Sequence, residues 1–322
     1  MCTRRRTRLF ASLLLLTAPA VGSGCRARRG SSATPARTEA HVVSPVDGRC
    51  PAALVATRDG GLDADRYVVP NDLERRVMRD AMARLLGSLP GAREKAASEL
   101  SNIGFQIIDV PEQRAVLVRE GSRRRGGGAY LVRIGSPSQL IVQAPHTFFD
   151  EGTMPLACEL FARGNAAALF VNTSHRYKSA PQTPGGAFPA DVAHARDSLF
   201  QAATEGMLRA RSKAVAVQLH GFGDREADGA IVLSSGVRHF GVPTVVAAQA
   251  ALSRVIDGGV LRFPDDQDEL GATTNVQGAV VRDAGGRFLH VEIGAPLRRA
   301  LLSDAIYRAS VLSTLADVTE GS

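Results

Sequence analysis

Five polar residues stand where apolar segments of the chain end or are interrupted. His146, Asp150 and Glu151 follow an apolar run in "QLIVQAPHTFFDEGT", His220 closes "AVAVQLH", and Glu292 interrupts "RFLHVEIG". Catalytic zinc takes three protein ligands from histidine, aspartate and glutamate and leaves a fourth position to water. A further carboxylate can take a proton from that water. These residues therefore predict a site in which His146, His220 and Asp150 or Glu151 bind Zn2+ and Glu292 acts as general base.

Each of these residues also has a structural explanation. A histidine at a strand end can be held only by hydrogen bonds, and an Asp-Glu pair after a turn favours the start of a helix through the helix dipole. His290 and Glu292 point to one face of their strand because side chains repeat every two residues, and a buried carboxylate there needs a partner. The zinc interpretation therefore requires His146, His220 and Glu292 to meet at one opening.

Three further residues are predicted to contact a substrate. The loop "NTSHRYK" offers His175 and Arg176, and an arginine fork matches a carboxylate bidentately. The alternative is an exposed loop pair. Asn275, in the polar loop "GATTNVQG", is predicted to face the site, whereas Asp191 in "ADVAHARD" is predicted to cap a helix. Nucleophile-elbow, dinucleotide and P-loop motifs do not occur in the sequence.

The order of elements predicts an α/β fold that would bring these residues together. Four short strands, "FQIID", "RAVLVRE", "YLVRI" and "QLIVQ", precede a region in which apolar strands alternate with amphipathic helices. Such alternation favours a mixed, mostly parallel sheet covered by helices on both faces, in one main domain. Ligands of open α/β sheets collect at the carboxyl ends of the strands. In the helix predicted from "PNDLERRVMRDAMARLLGSL", Asn71 and Glu74 form a capping box.

The N-terminus has the layout of an export signal. Residues 1–25 combine a basic start, a short apolar run and small residues before Cys25, which could accept a lipid. Residues 26–47 are polar and read as a flexible tether, and residues 48–322 as the α/β metallohydrolase-like domain. Within that domain, residues 48–140 supply its first strands or form an N-terminal extension or lid. The expected location is the periplasm or cell envelope, with membrane contact only through a lipid anchor.

Cysteine usage and charge narrow the class of protein further. Cys50 and Cys158 could pair in an oxidising periplasm or remain two separate buried thiols. Seven of the 39 basic residues fall within residues 1–30, which contain no acidic residue, so residues 31–322 carry 32 charges of each sign. The domain therefore lacks the basic excess that binding to nucleic acid requires.

The order of these residues resembles that of the zinc carboxypeptidase and amidohydrolase group, which includes N-acetylmuramoyl-L-alanine amidases and N-formylglutamate amidohydrolases. His146 and His220 are 74 residues apart, and Glu292 follows 72 residues later. "FLHVEIGAPLR" is similar to the late Val-Glu strand of the amidases, whose glutamate is catalytic. Over residues 139–300, the resemblance implies cleavage of an amide in a small peptide, an N-acyl amino acid or a peptidoglycan stem. It also implies that Arg176 holds an acidic substrate end or polarises a carbonyl.

The acid ligand departs from the pattern of this group. Carboxypeptidases place it three residues after the first histidine, where this chain has Phe149, and muramoyl amidases draw it from later, where Glu159 lies. Asp150 ranks first because "D-x-G-T" would form a tight loop at the strand end, followed by Glu151 and Glu159. Two other functions remain: a metal-dependent deacetylase or esterase with the same site, and a non-catalytic envelope lipoprotein or ligand-binding module.

Overall fold

The computed structural model describes residues 50–59, 66–87, 89–122, 124–223 and 229–321. The predicted export signal, the lipid-acceptor role of Cys25 and the tether at residues 26–47 lie outside the described residues and stay predictions. Within the described ranges, no helix has both the length and the apolar character that crossing a membrane requires.

In the described part of the chain, three helices precede four strands, and from residue 153 onward helices and strands largely alternate. The helices are α1 Ala52–Asp59, α2 Asp72–Gly87, α3 Ala92–Ser101, α4 Thr153–Arg163, α5 Leu199–Ala210, α6 Pro243–Leu252, α7 Val276–Asp283, α8 Ala295–Ser303 and α9 Ala305–Glu320. The strands are β1 Phe105–Val110, β2 Ala115–Glu120, β3 Ala129–Val132, β4 Leu140–Ala144, β5 Ala168–Val171, β6 Val215–Phe222, β7 Ile231–Ser234, β8 Val260–Arg262 and β9 Arg287–Gly294.

All of these strands belong to one mixed sheet, with the order β1-β2-β3-β5-β4-β6-β9-β7-β8. Parallel pairing joins β5, β4, β6 and β9 at the centre and β7 to β8 near one edge. Antiparallel pairs attach β1, β2 and β3 on one side and β7 on the other. The predicted α/β fold is confirmed, and the strands predicted at residues 105–132 extend this same sheet.

Helices cover both faces of the sheet, and each face has its own apolar core. Alternate residues of the central strands enter opposite cores because side chains of a strand alternate between its faces. One core contains buried residues of α1, α4, α6, α8 and α9. The other contains buried residues of α2, α3, α5 and α7, together with Ile141 of β4 and Ala216 of β6. The same face of β4 and β6 also carries the side chains of Gln143, Gln218 and His220. Polar groups therefore lie where the apolar side chains of this second core stop.

Local sequence signals set several helix starts. Asn71 and Glu74 form the predicted capping box before α2, since each side chain accepts from the backbone N–H of the other, at 2.9 and 2.8 Å. The helix that Asp191 was predicted to cap begins only at Leu199, because Ser198 caps it by accepting from the N–H of Gln201. The predicted polar loop "GATTNVQG" contains the start of α7, for which Asn275 is the N-cap.

A disulfide joins the segment before α1 to helix α4. Cys50 and Cys158 are bonded, with their Cα atoms 5.2 Å apart and a sequence separation of 108 residues. Of the two alternatives, the predicted disulfide is therefore confirmed and the two separate thiols are not. Both cysteines are buried in the core on the α4 and α9 side of the sheet.

Candidate metal centre

The loop after β4 brings the first histidine and its neighbouring acid together. The N–H of Asp150 donates to the carbonyl oxygen of His146 at 2.7 Å, which places the two residues one turn apart. Gly152 has φ 87°, in the left-handed region that suits glycine, and precedes α4. Thr153 fastens this turn with hydrogen bonds from its N–H and Oγ1 to the carbonyl oxygen of Asp150. The tight loop predicted from "D-x-G-T" is present.

Strand register brings the other residues to the same place. Parallel pairing sets His220 of β6 opposite Glu292 of β9. It also sets β4 beside β6, so the loop after β4 lies next to His220. As a result, the Oδ2 atom of Asp150 lies 3.3 Å from the Nδ1 atoms of both His146 and His220. His146, Asp150 and His220 are all buried.

The Nε2 atom of each histidine ring faces an oxygen atom that can only accept a hydrogen bond. His146 Nε2 lies 2.8 Å from Oδ1 of Asp191, and His220 Nε2 lies 2.7 Å from Oε1 of Gln218. Each neutral ring therefore carries its proton on Nε2 and a lone pair on Nδ1. A guanidinium N–H of Arg176, 3.1 Å from His146 Nδ1, requires a lone pair there as well.

These three facing atoms fit a zinc ion. Two Nδ1 lone pairs and a carboxylate oxygen offer no proton to one another, so a cation is the group that their arrangement suits. Ligands bound at about 2.0–2.1 Å around a tetrahedral zinc lie roughly 3.3–3.4 Å from one another. The two Nδ1–Oδ2 distances of 3.3 Å match that separation. Nitrogen and carboxylate donors are also those that zinc accepts.

Of the three acids considered from the sequence, Asp150 is the one at the histidines. Glu151 is exposed. Glu159 is buried but points to α9, where its carboxylate accepts from Arg308 Nε at 2.6 Å and from Arg163 Nε at 2.8 Å. The group of candidate ligands in the described residues contains neither of these glutamates.

Glu292 lies beside this centre rather than within it. His220, His290 and Glu292 form a second group whose candidate ligand atoms lie within 4.8 Å of one another. His290 Nε2 is 3.6 Å from Oε1 of Glu292. Burial, reinforced by the negative charge of Asp150, raises the pKa of Glu292 to about 8. The carboxyl group is thus adjacent to the centre, with a pKa near neutrality.

Burial and charge also set the pKa values of the candidate ligands. Burial lowers the pKa of His220 to about 4, and the nearby carboxylate of Asp150 offsets only part of this effect. Burial acts in the same direction on His146, but Asp150 and Asp191 outweigh it and raise its pKa. For Asp150, burial acts to raise the pKa, but the two histidines outweigh it and lower the pKa well below its usual value. Asp150 is therefore ionised, as a metal ligand must be.

Arg176 and a group of aromatic rings border the centre. Arg176 NH2 donates to Oδ2 of Asp191 at 2.5 Å, and its Nε is buried without a hydrogen-bond partner among the described residues. Its guanidinium lies 4.6 Å from the ring centre of Tyr177 and 5.4 Å from that of Phe149. The ring of His175 lies 6.0 Å from that of Phe149. Of the two residues predicted from "NTSHRYK", Arg176 thus contacts Asp191 and His175 contacts Phe149, and their contact with a substrate stays a prediction.

Two residues at the centre were not recognised from the sequence as part of it. Asp191, predicted to cap a helix, instead accepts from His146 and Arg176 and contacts His194 Nδ1 at 3.1 Å. Gln218 supports His220 from two residues earlier on β6. Its signal was visible, because a glutamine in "VAVQLH" interrupts an apolar strand on the same face as the histidine.

Asn275 lies behind His220. Its side chain is buried, accepts from the N–H of Gly278 and donates to Oε1 of Gln218 at 2.6 Å. These contacts support the amide that holds His220, and the predicted contact of Asn275 with a substrate stays a prediction.

Comparisons with known proteins give similar solved structures but no family. No family model matches the chain, and no curated protein matches it. N-formylglutamate amidohydrolase from Ralstonia eutropha JMP134 is 13% identical, with 60% of this chain and 98% of that chain covered and a TM-score of 0.39. The succinylglutamate desuccinylase from Chromobacterium violaceum is 13% identical, with 69% and 72% covered and a TM-score of 0.39. A metallo-carboxypeptidase from Burkholderia cenocepacia is 11% identical, with 71% and 69% covered and a TM-score of 0.36.

The names of these proteins fall in the group that the sequence motifs resemble. With identities of 11–13% and TM-scores of 0.36–0.39, these structures do not establish the activity of this chain.

Proposed function

We propose that this protein is an exported zinc-dependent hydrolase that cleaves an amide bond. The observation that carries the proposal is the convergence of His146, Asp150 and His220 on one point, with Glu292 beside it. A module that only binds a ligand has no need of a buried carboxyl group next to two histidines whose lone pairs face an aspartate.

The chain's own residues divide the work. His146, Asp150 and His220 would hold the metal. A zinc ion bound there would polarise the substrate carbonyl and lower the pKa of a water molecule. Glu292 takes a proton from the attacking water and gives it to the leaving amine. A cation held by the neighbouring residues would lower the pKa of Glu292 from about 8, because opposite charge favours the carboxylate.

Arg176 supports a substrate that carries an oxygen acceptor near the scissile amide. Its NH1 group uses His146 Nδ1 as an acceptor in this structure; if that nitrogen held a metal, NH1 would be available to bind a carbonyl or carboxylate oxygen. A carbonyl or carboxylate oxygen near the scissile amide is present in an N-acyl amino acid, a small peptide or a peptidoglycan stem, the substrates that the sequence resemblance implies. The exposed Phe149 and Tyr177 would contact the apolar part of such a substrate.

Export is proposed from the N-terminal sequence and is supported by the disulfide. A basic start and short apolar run precede Cys25. A buried disulfide between Cys50 and Cys158 persists most readily in an oxidising compartment such as the periplasm.

Metal content tests the proposal first. The purified protein is expected to hold about one zinc ion per chain, and the His146→Ala/His220→Ala variant is expected to lose it. His239→Ala is the matched control, because His239 is exposed and lies outside the candidate ligand groups of the described residues. Absence of zinc from the wild type when zinc is supplied would instead favour a ligand-binding module.

Catalysis is tested separately with Glu292→Gln. This variant is expected to keep its zinc and to lose about 10²–10⁴-fold in kcat on N-acyl amino acids or peptides, the usual contribution of a general base. Glu112→Gln, at an exposed glutamate, is the control. Full activity in Glu292→Gln would exclude Glu292 as the base, and a preference for ester substrates would favour the esterase alternative.

A further inference from the structure

A chain of buried amide side chains lies behind His220, on the sheet face covered by α5 and α7. Gln143 of β4, Gln218 of β6 and Gln277 of α7 are each 0% exposed. A buried amide is costly unless its hydrogen-bonding groups are paired. The pairing of these three side chains therefore decides which way each amide points.

Gln218 uses its full hydrogen-bonding capacity. Its Oε1 accepts from His220 Nε2 at 2.7 Å and from Asn275 Nδ2 at 2.6 Å. Its Nε2 donates to Oε1 of Gln143 at 3.0 Å and to Oε1 of Gln277 at 3.3 Å. An amide has two N–H donors and two lone pairs, so a reversed Gln218 would place like groups together in its contacts with Asn275, Gln143 and Gln277.

The orientation of Gln277 is fixed by the backbone. Its Nε2 donates to the carbonyl oxygen of Val192 at 2.9 Å. A backbone carbonyl can only accept, so the amide nitrogen must face Val192 and the amide oxygen must face Gln218.

Gln143 is fixed from the other side. Its Nε2 donates to Oγ1 of Thr204 at 2.9 Å. The hydroxyl hydrogen of Thr204 is committed to the carbonyl oxygen of Phe200 at 3.0 Å, so Oγ1 acts as an acceptor toward Gln143. Both neighbours of Gln218 therefore present oxygen to it, each held by a separate backbone carbonyl.

We infer that this chain of amides is a positioning device that sets the tautomer of His220. With Oε1 of Gln218 directed at the ring, the proton stays on Nε2 and the Nδ1 lone pair faces Asp150. Without that acceptor, a ring proton on Nδ1 could instead form a hydrogen bond to Asp150, 3.3 Å away. The inference rests on the proposed metal centre for its purpose, since outer contacts of this kind orient metal-binding histidines. Gln143, Gln218 and Gln277 are then positioning residues that act through His220.

The tautomer can be measured without any metal. Two-bond 1H–15N correlation spectra of the zinc-free protein distinguish the two neutral tautomers, and the His220→Ala spectrum assigns the signal. In the wild type, His220 is expected to carry its proton on Nε2. In Gln218→Met, the proton is expected on Nδ1, and the dissociation constant for zinc is expected to rise about 10–100-fold.

Two variants separate positioning from a general loss of structure. Gln218→Glu loses the donors to Gln143 and Gln277 but keeps an acceptor oxygen for the ring, and it is expected to retain the Nε2 proton. Gln201→Met removes one bond to Gln277 but leaves the Val192 anchor, so the tautomer and zinc affinity are expected to stay as in the wild type. Thermal unfolding of each variant reports whether it folds.

The possible results distinguish this inference from the proposed function. A wild-type His220 with its proton on Nδ1 would overturn the inference, whether or not the variants fold. An unchanged tautomer in folded Gln218→Met would overturn it as well. An Nε2 proton that depends on Gln218 in a protein that binds no zinc would support the positioning role and reject the metal centre.

Discussion

At the residue scale, His146 and His220 each use Nε2 for support and direct Nδ1 at Asp150. Asp191 and Gln218 are the supports, and both direct an oxygen at Nε2. The two supports differ in charge, and the ring beside the carboxylate is the one whose pKa is raised. Zinc binding would therefore displace a proton where His146 is charged, so affinity for zinc should weaken toward acidic pH.

Glu292 makes a separate pH prediction for the zinc-free protein. Burial is the main reason why the pKa of Glu292 is about 8 in the folded protein, compared with 4.5 for an unperturbed glutamate. The folded state therefore holds the proton more tightly than the unfolded state. Its contribution to stability is full below about pH 4.5 and is lost as the pH rises to about 8.

Chemical denaturation with a chelator present measures this effect. The free energy of unfolding of the wild type is expected to fall relative to Glu292→Gln between pH 5 and pH 8 by a few kcal/mol, since each unit of pKa shift corresponds to ~1.4 kcal/mol. Glutamine cannot titrate, so the difference between the two proteins isolates this carboxyl group. Parallel pH profiles for the two proteins would show that Glu292 has an ordinary pKa.

At the element scale, α4 is held at its start and by a buried ion pair to α9. Its start follows the loop that holds Asp150, and its buried Glu159 is bonded to Arg308 of α9. Arg308→Met is expected to lower the free energy of unfolding by about 3 kcal/mol, because it removes one partner of a buried carboxylate. Arg163 remains as the second partner and limits the loss.

The matched control is an ion pair on the surface. Arg238 and Asp268 are bonded at 2.8 Å with side chains 61% and 82% exposed. Arg238→Met is expected to change stability by less than about 1 kcal/mol, as exposed pairs do. Equal effects of the two substitutions in denaturant unfolding would show that burial of Glu159 does not matter. Replacing Glu159 and Arg308 together by apolar residues should recover part of the loss.

Elements and their order could be predicted from the sequence, but contacts made across long separations could not. Apolar strands alternating with helices indicated the sheet, and the strand ends indicated His146, His220 and Glu292. Asp191 was assigned to the wrong role because "ADVAHARD" has the local pattern of a helix start, whereas Ser198 provides the actual cap. Its true partner, His146, lies 45 residues away, and no local pattern reports such a contact.

At the scale of the whole molecule, a disulfide joins two distant parts of the described chain. The Cys50–Cys158 bond closes a loop across 108 residues that contains β1 to β4. Loops of about 100 residues are associated with roughly 4–5 kcal/mol of stabilisation through the entropy of the unfolded chain. Cys50→Ser/Cys158→Ser is expected to lose most of that amount.

Denaturant unfolding with and without a reducing agent checks this expectation. Reduction should destabilise the wild type and leave the double variant unchanged. If the reductant shifts both proteins equally, the disulfide does not contribute to stability in the way proposed.

The pairing of β6 with β9 has a consequence for how distant relatives could be recognised. His220 and Glu292 are neighbours because these strands pair with the two residues opposite each other. The segment between them, residues 221–291, can change in length without moving either residue. A shift of one residue in that pairing would turn Glu292 to the opposite face of the sheet. Homologues should therefore share a glutamine-x-histidine strand beside a histidine-x-glutamate strand, and a search that holds their separation constant would miss them.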